Sequence, residues 1–369
     1  MFDAKIASLK EEIAALKQIV LVHEEFRSIS RLSTITSDTA SDTLDTEFRA
    51  ALSKWLRTKT IDLPNNLSWR VFDRSAAFVR LYGLYERFVF DLISDWLRLL
   101  PDYYQNYSDL PEKVQSAHRQ GVGTILTRLG GDRYGPLREK EVLQGIFEGV
   151  SGTTSYSLLQ QAFLTDDRNL WKDALTELFS RVGLDGSWEW ICKNPIMIEY
   201  ISEVRGNNSS VFSELKSFVQ FRNAAAHGEM DDTVSIAEIN RYSEFIEILC
   251  ESLAELVTNG VVFRQLAMNC AEKIGSVVHK FSGSVIGARV IQIRLNVGDD
   301  LYVTRESRCY RVKILSLSYN RTILNDFINV GNDNPIGLKL DRLVNKGSEL
   351  IRAKSDSPRS SSCLSLGDS

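Results

Sequence analysis

Hydrophobic residues recur along most of the chain at helical spacing. Residues 4–27 carry Ile6, Leu9, Ile13, Leu16 and Val20 in a 3-4 alternation, which predicts a helix packing along one seam. About three heptads suffice barely for a coiled coil, so an amphipathic helix folded onto its own domain is the expectation. Ser33 to Thr46 is rich in Ser, Thr and Asp and reads as a solvated loop. A short helix resumes over Glu47–Arg57, with Phe48, Leu52, Trp55 and Leu56 on one side.

The longest apolar helix is expected over residues 75–100, closed by Pro101. Its Arg80, Arg87, Asp91 and Arg98 form one stripe that can face water. Glu86 points with the apolar face instead, because its neighbours one turn away are Tyr82 and Phe90. A carboxylate there needs a partner; an arginine on another helix is the expectation, either as a packing ion pair or to orient a catalytic arginine.

Residues 112–182 break into shorter helices around loops, including Gly130–Gly131–Asp132–Arg133 and a Gly-Thr-Thr-Ser segment at 152–155. Trp171, Trp188 and Trp190 read as core or docking residues, and His23 and His118 as surface or internally satisfied ones. Asn207 to Ser210 open a helix over Val211–His227, with Phe212, Leu215, Phe218 or Val219, and Arg222 on one face and Gly228 as its terminator. Ser235-Ile-Ala-Glu238 is a capping box opening a periodic helix through Ile239, Phe245, Ile246, Leu249, Leu253, Leu256 and Val257.

From about residue 275 the period becomes 2, with β-branched runs at Ser284–Leu295, Leu301–Thr304, Tyr310–Ser318 and Ile336–Leu340. That pattern predicts a small antiparallel barrel. The tail after Lys354 reads as disordered. The expected division is an N-terminal helix and polar linker over 1–46, a helical domain over 47–274, a barrel over 275–354 and a tail over 355–369. The fold class is mainly α, a helical bundle followed by a β-barrel.

Composition narrows function. With 369 residues, 43% hydrophobic and 25% charged, the chain is an ordinary globular one. A net charge of −4 argues against a bulk nucleic-acid coat but permits a local basic patch. Five cysteines never fall in a CxxC pair, so reduced thiols and no zinc framework are expected. The first residues lack the apolar core of a signal peptide, and no run approaches a spanning helix; the expectation is a cytoplasmic protein without membrane contact. No Gly-Lys-Ser/Thr follows the glycine pairs, so no phosphate loop is present.

The stretch that carries chemistry is Phe221-Arg-Asn-Ala-Ala-Ala-His-Gly228. On a helix Asn223 and His227 share a face, and the long side chain of Arg222 can swing towards it. Histidine exchanges protons near neutrality, and arginine can stabilise the extra negative charge of a pentavalent phosphorane. A helix C-terminus attracts an imidazolium, suited to a general acid. Because the ribose 2′-OH supplies the nucleophile, this set suffices for RNA cleavage with no metal and no cofactor. The plain alternative is a histidine at a helix end beside a surface arginine.

Arg222–Asn223–x–x–x–His227 resembles the Arg-x4–6-His motif of HEPN-domain ribonucleases, and Leu84-Tyr-Glu-Arg-Phe88 resembles a helix of their toxin and defence subgroup. The resemblance implies a dimeric helical bundle, catalytic roles for Arg222 and His227, and a supporting one for Asn223; Glu86 is added as a further supporting residue. It implies a metal-independent endoribonuclease leaving 2′,3′-cyclic phosphate and 5′-hydroxyl ends, a toxin or antiviral effector whose partners are RNA, a second copy and a regulatory antitoxin. The other reading is an inactive HEPN-type interaction or RNA-binding protein, an antitoxin or adaptor. Asn296-Val-Gly-Asp-Asp-Leu301, Ile336-Gly-Leu-Lys-Leu340 and Val344-Asn-Lys-Gly-Ser-Glu-Leu350 resemble domain two of translational GTPases. That resemblance implies contact with RNA, such as tRNA, or with a translation-related partner; the other reading is a structural barrel that binds another protein. Arg289, Arg294, Arg305, Arg308 and Arg311 add a basic bias.

Overall fold

The computed structural model describes residues 1–32, 51, 54, 65–131, 137–152, 156–165, 168–205, 209–230, 234–291, 294–320, 322–328 and 335–354. The polar stretch after Ser33, nearly all of the short helix expected over Glu47–Arg57, Asp132 and Arg133, most of the 152–155 segment, Asn207 and Asn208, and the tail lie outside the described residues.

The helices are α1 (Asp3–Leu32), α2 (Asn66–Tyr103), α3 (Glu112–Thr127), α4 (Glu139–Val150), α5 (Lys172–Arg181), α6 (Ser187–Lys193), α7 (Pro195–Arg205), α8 (Val211–His227) and α9 (Ile236–Ala267). The strands follow: β1 (Ala271–Lys280), β2 (Val285–Val290), β3 (Arg294–Asn296), β4 (Asp300–Arg305), β5 (Arg308–Tyr319), β6 (Thr322–Leu324), β7 (Asp326–Ile328), β8 (Ile336–Leu340) and β9 (Glu349–Ala353). Two compact units divide the chain. One comprises Ala7–Arg87 and Phe212–Glu247, and the other Met1–Ile6, Phe88–Val211 and Ile248–Ser369.

The first unit is a helical bundle. Leu9, Ile13, Leu16 and Val20 of α1 are buried, so the seam read from the sequence packs within the chain itself. Glu12 receives hydrogen bonds from Arg80, at 2.8 Å, and from Arg87, two members of the expected solvent stripe. Deeper, Arg27 donates to Asp73 at 2.6 Å and both are buried, a pairing whose attraction offsets part of the cost of desolvating the two charges. His23 is satisfied by the same carboxylate, Nδ1 to Oδ1 at 2.9 Å.

Helix α2 is longer than the apolar run predicts. It starts at an asparagine cap, Asn65 Oδ1 accepting from the Ser68 N–H at 2.8 Å, and it runs through Pro101 to Tyr103. The proline sits in the last turn, and the N–H of Tyr104 still reaches the carbonyl of Leu100 at 2.9 Å. One backbone bond is therefore forgone, while Leu97, Leu99 and Leu100 stay buried. Burial outweighs that single loss.

In the second unit α3 to α7 and the ends of α2 and α9 surround their own core. Trp96 donates from Nε1 to the carbonyl of Val182 at 2.8 Å. His118 is fully buried and satisfied: Nε2 accepts from the Leu159 N–H at 3.1 Å, and Nδ1 lies 3.1 Å from the Tyr107 hydroxyl. Burial pulls its pKa down to about 4.

The barrel closes through the antiparallel ring β4-β9-β1-β2-β8-β5 and back to β4, with β6 added at the edge of β5 and a separate β3–β7 pair. Alternate residues fill it: Ile274, Val277, Ile286, Ala288, Leu301, Val303, Val312, Ile314, Leu338 and Leu350 form one buried cluster. Its first strand begins at Ala271, a few residues before the change of period is legible, because Ala271 and Ile351 pack with Val262 and Cys309 outside the barrel interior. Arg308 fastens the barrel to α9 through Glu255, Nε to Oε2 at 2.6 Å, and Asn194 donates to the Ser307 carbonyl at 3.2 Å. Burial pushes the Glu255 carboxyl up to about 7.

Candidate functional site

Helix α8 forms as the sequence predicts, but its buried stripe is Val211, Leu215, Phe218 and Val219, while Phe212 is exposed. The spacing of 211, 215, 218 and 222 keeps one face, and Phe212 stands about 100° away from Val211. Phe218 is the anchor. Its ring centroid lies 6.3 Å from Phe78, 6.1 Å from Tyr82, 6.4 Å from Tyr85 and 5.8 Å from Tyr242. One turn later Phe221 stacks on Phe78 at 5.1 Å. This aromatic layer fixes the rotation of α8 and therefore where the motif residues emerge.

Arg222 lies over the ring of Tyr82, its Cζ 4.5 Å from the centroid, and its Nη1 donates to Asn223 Oδ1 at 3.1 Å. A guanidinium laid on an aromatic face with one edge tied to an amide has its remaining donors directed by both contacts. Glu86 accepts from the Tyr82 hydroxyl at 3.2 Å. Among the described residues, the ion pair expected between Glu86 and an arginine of another helix is not formed: Tyr82 provides the donor, and its ring carries the arginine. Tyr82 is the residue that sequence reasoning missed. It was legible only as the neighbour of Glu86 one turn earlier.

His227 is exposed at the end of α8. Gly228 terminates the helix with φ +73°; the Glu229 N–H bonds the Ala224 carbonyl at 2.8 Å, and the Gly228 N–H bonds that of Ala225 at 3.4 Å. This pair of bonds is a Schellman motif, and it leaves the imidazole one turn beyond Asn223, at the rim. The structure thus brings Arg222, Asn223, Tyr82 and Glu86 into one connected set. Among the described residues no hydrogen bond joins His227 to it. No group of three or more His, Cys, Asp or Glu among the described residues is placed to hold a metal ion, and none of their helices is long and apolar enough to cross a membrane.

The helical part of the chain is a HEPN domain, and a closed six-stranded antiparallel barrel follows it. Residues 47–259 match the RiboL-PSP-HEPN family, more than half of the chain, and the chain belongs to that family. A comparison with curated proteins returned no match.

Proposed function

We propose that this protein is an endoribonuclease acting through Arg222, Asn223 and His227 without a metal or cofactor. The observation that most supports this reading is the pose of Arg222, stacked on Tyr82 and tied to Asn223 one turn before an exposed His227. In the reaction the ribose 2′-oxygen bonds to the adjacent phosphorus and the bond to the 5′-oxygen breaks. The products are a 2′,3′-cyclic phosphate and a 5′-hydroxyl. The 2′-OH proton passes to a neutral imidazole, and an imidazolium returns one to the departing 5′-oxygen. Arg222 stabilises the added negative charge on the phosphoryl oxygens.

One imidazole cannot accept and donate at the same instant. We therefore assign the two roles to His227 from each of two copies, so that the active form is a homodimer whose motifs face a common RNA. A toxin or antiviral role, held in check by a regulatory protein, follows from the same reading, since unspecific RNA cutting must be silenced in the cell that makes it.

The test is incubation of RNA with the full chain in excess EDTA, comparing wild type with Arg222→Ala and His227→Ala. Cyclic-phosphate ends from wild type and at least about 100-fold less product from each variant are expected. Cleavage abolished by EDTA, or undiminished in His227→Ala, sinks the mechanism. RNA held but never cut would assign the domain to binding instead.

A further inference from the structure

The outer surface of the barrel is divided in two. Along β4, β9 and the start of β1 it is covered, for Ala271, Cys309 and Ile351 pack with Val262, Leu266 and Trp190. The surface formed by β2, β8 and the far ends of β1 and β5 has a different chemistry. One cross-strand row there reads His279–Gly287–Gly337–Ser318, so its two middle positions carry no side chain. A Cβ on Gly287 would lie 3.4 Å from the ring of Phe281 and 3.3 Å from the Cβ of His279, and one on Gly337 would meet Ser318 Oγ at 2.2 Å. The bare backbone thus makes a floor onto which the Phe281 and His279 side chains settle. Their ring centroids are 6.3 Å apart at an interplanar angle of 36°.

Phe281 nevertheless remains 57% exposed. Flanking rows on the same face bring cations to both sides. Arg289, two residues beyond Gly287, pairs with Ser276; Lys339, two beyond Gly337, lies between Val285 and Ser316. Both basic side chains are exposed; the row of Arg289 and Ser276 continues on β9 to Glu349, whose carboxylate is held by Lys273.

We infer that this face binds single-stranded RNA, with bases stacked on Phe281 and His279 and the backbone phosphates drawn to Arg289 and Lys339. A wet aromatic pair on a glycine floor between cations suits a ligand that has π-faces and negative charge in alternation. An apolar protein surface would gain nothing from the two cations, and a duplex hides its bases from the rings. The site stands on the barrel alone and does not rest on the nuclease reading.

The experiment uses the full chain and a short fluorescent 2′-O-methyl oligouridine, which lacks the 2′-hydroxyl and cannot be cut by the proposed mechanism. Anisotropy titrations at several salt concentrations give affinity and salt slope. Phe281→Ala is expected to weaken binding about 10-fold, the worth of one base stack, whereas Phe281→Tyr retains it. Lys339→Ala is expected to lower the slope of log affinity against log salt by about one. Failure of wild type to bind, or equal affinity in Phe281→Ala, overturns the proposal. Loss in Arg222→Ala with none in Phe281→Ala also overturns it and leaves the nuclease reading intact. Loss in Phe281→Ala, with RNA cut by no form of the protein, upholds the barrel site and removes the nuclease.

Discussion

Arg222 lies on the face of Tyr82, with the guanidinium carbon 4.5 Å from the ring centroid, and the hydroxyl of the same tyrosine reaches Glu86 at 3.2 Å. Tyr82 is therefore a platform for the motif arginine and a link to a carboxylate on its own helix. Tyr82→Phe keeps the platform and drops the link; Tyr82→Leu drops both. RNA cleavage is expected to stay within about threefold in Tyr82→Phe and to fall about 10-fold in Tyr82→Leu, since a desolvated stack of this kind contributes ~1–2 kcal/mol. Equal losses in both variants would show that the hydroxyl, not the ring, sets the arginine.

Gly228 is held at φ +73° with open space where a Cβ would stand. The constraint is the backbone alone. Gly228→Ala should destabilise the protein by about 1–2 kcal/mol, the cost of a left-handed residue with a Cβ, and Gly228→Asn by less. Thermal unfolding of the two variants beside wild type measures the difference.

His118 gives stability a dependence on acid. Its folded-state pKa, lowered by burial to about 4 from an ordinary 6.5, means that the unfolded chain takes up a proton which the folded chain refuses. The contribution of the neutral ring is complete above pH 6.5 and is lost as pH falls through that window to 4, by ~3 kcal/mol in all. Chemical denaturation of wild type and His118→Gln across that range should show a shallower slope in the variant.

Glu255 behaves in the opposite sense. Burial raises its carboxyl to about 7 from 4.5, so the folded chain keeps a proton that the unfolded chain releases, and that contribution is lost as pH rises across the window. Arg308→Met removes its partner and should cost roughly 2–3 kcal/mol, with a larger deficit at pH 8 than at pH 6. Adding Glu255→Gln should recover part of that loss. A double-mutant cycle at the two pH values tests both statements.

Much of this protein was legible along the chain because its signals are local. The helix Val211–His227, its glycine stop, the Ser235–Glu238 box and the alternation of Ile336–Leu340 each depend on residues within a turn or a strand of one another. Backbone geometry and side-chain period decide them without reference to distant segments. The Arg222–Asn223–His227 motif was visible for the same reason, since it occupies little more than one helical turn.

Tertiary packing decided the rest. Pro101 should end α2 by local preference, yet the helix continues to Tyr103, because the burial of Leu97, Leu99 and Leu100 in the turn before it outweighs a single missing bond. The apolar setting of Glu86 predicts an arginine partner, but Tyr82, one turn away on the same helix, supplies its donor and leaves Arg222 stacked on the ring. The row that joins His279 to Ser318 could not be read at all, since its members come from four strands and meet only when the barrel closes. Sequence determines which residues are neighbours along one element; which faces of different elements share an environment is settled by burial of the whole core, a sum over long-range contacts that no local pattern contains.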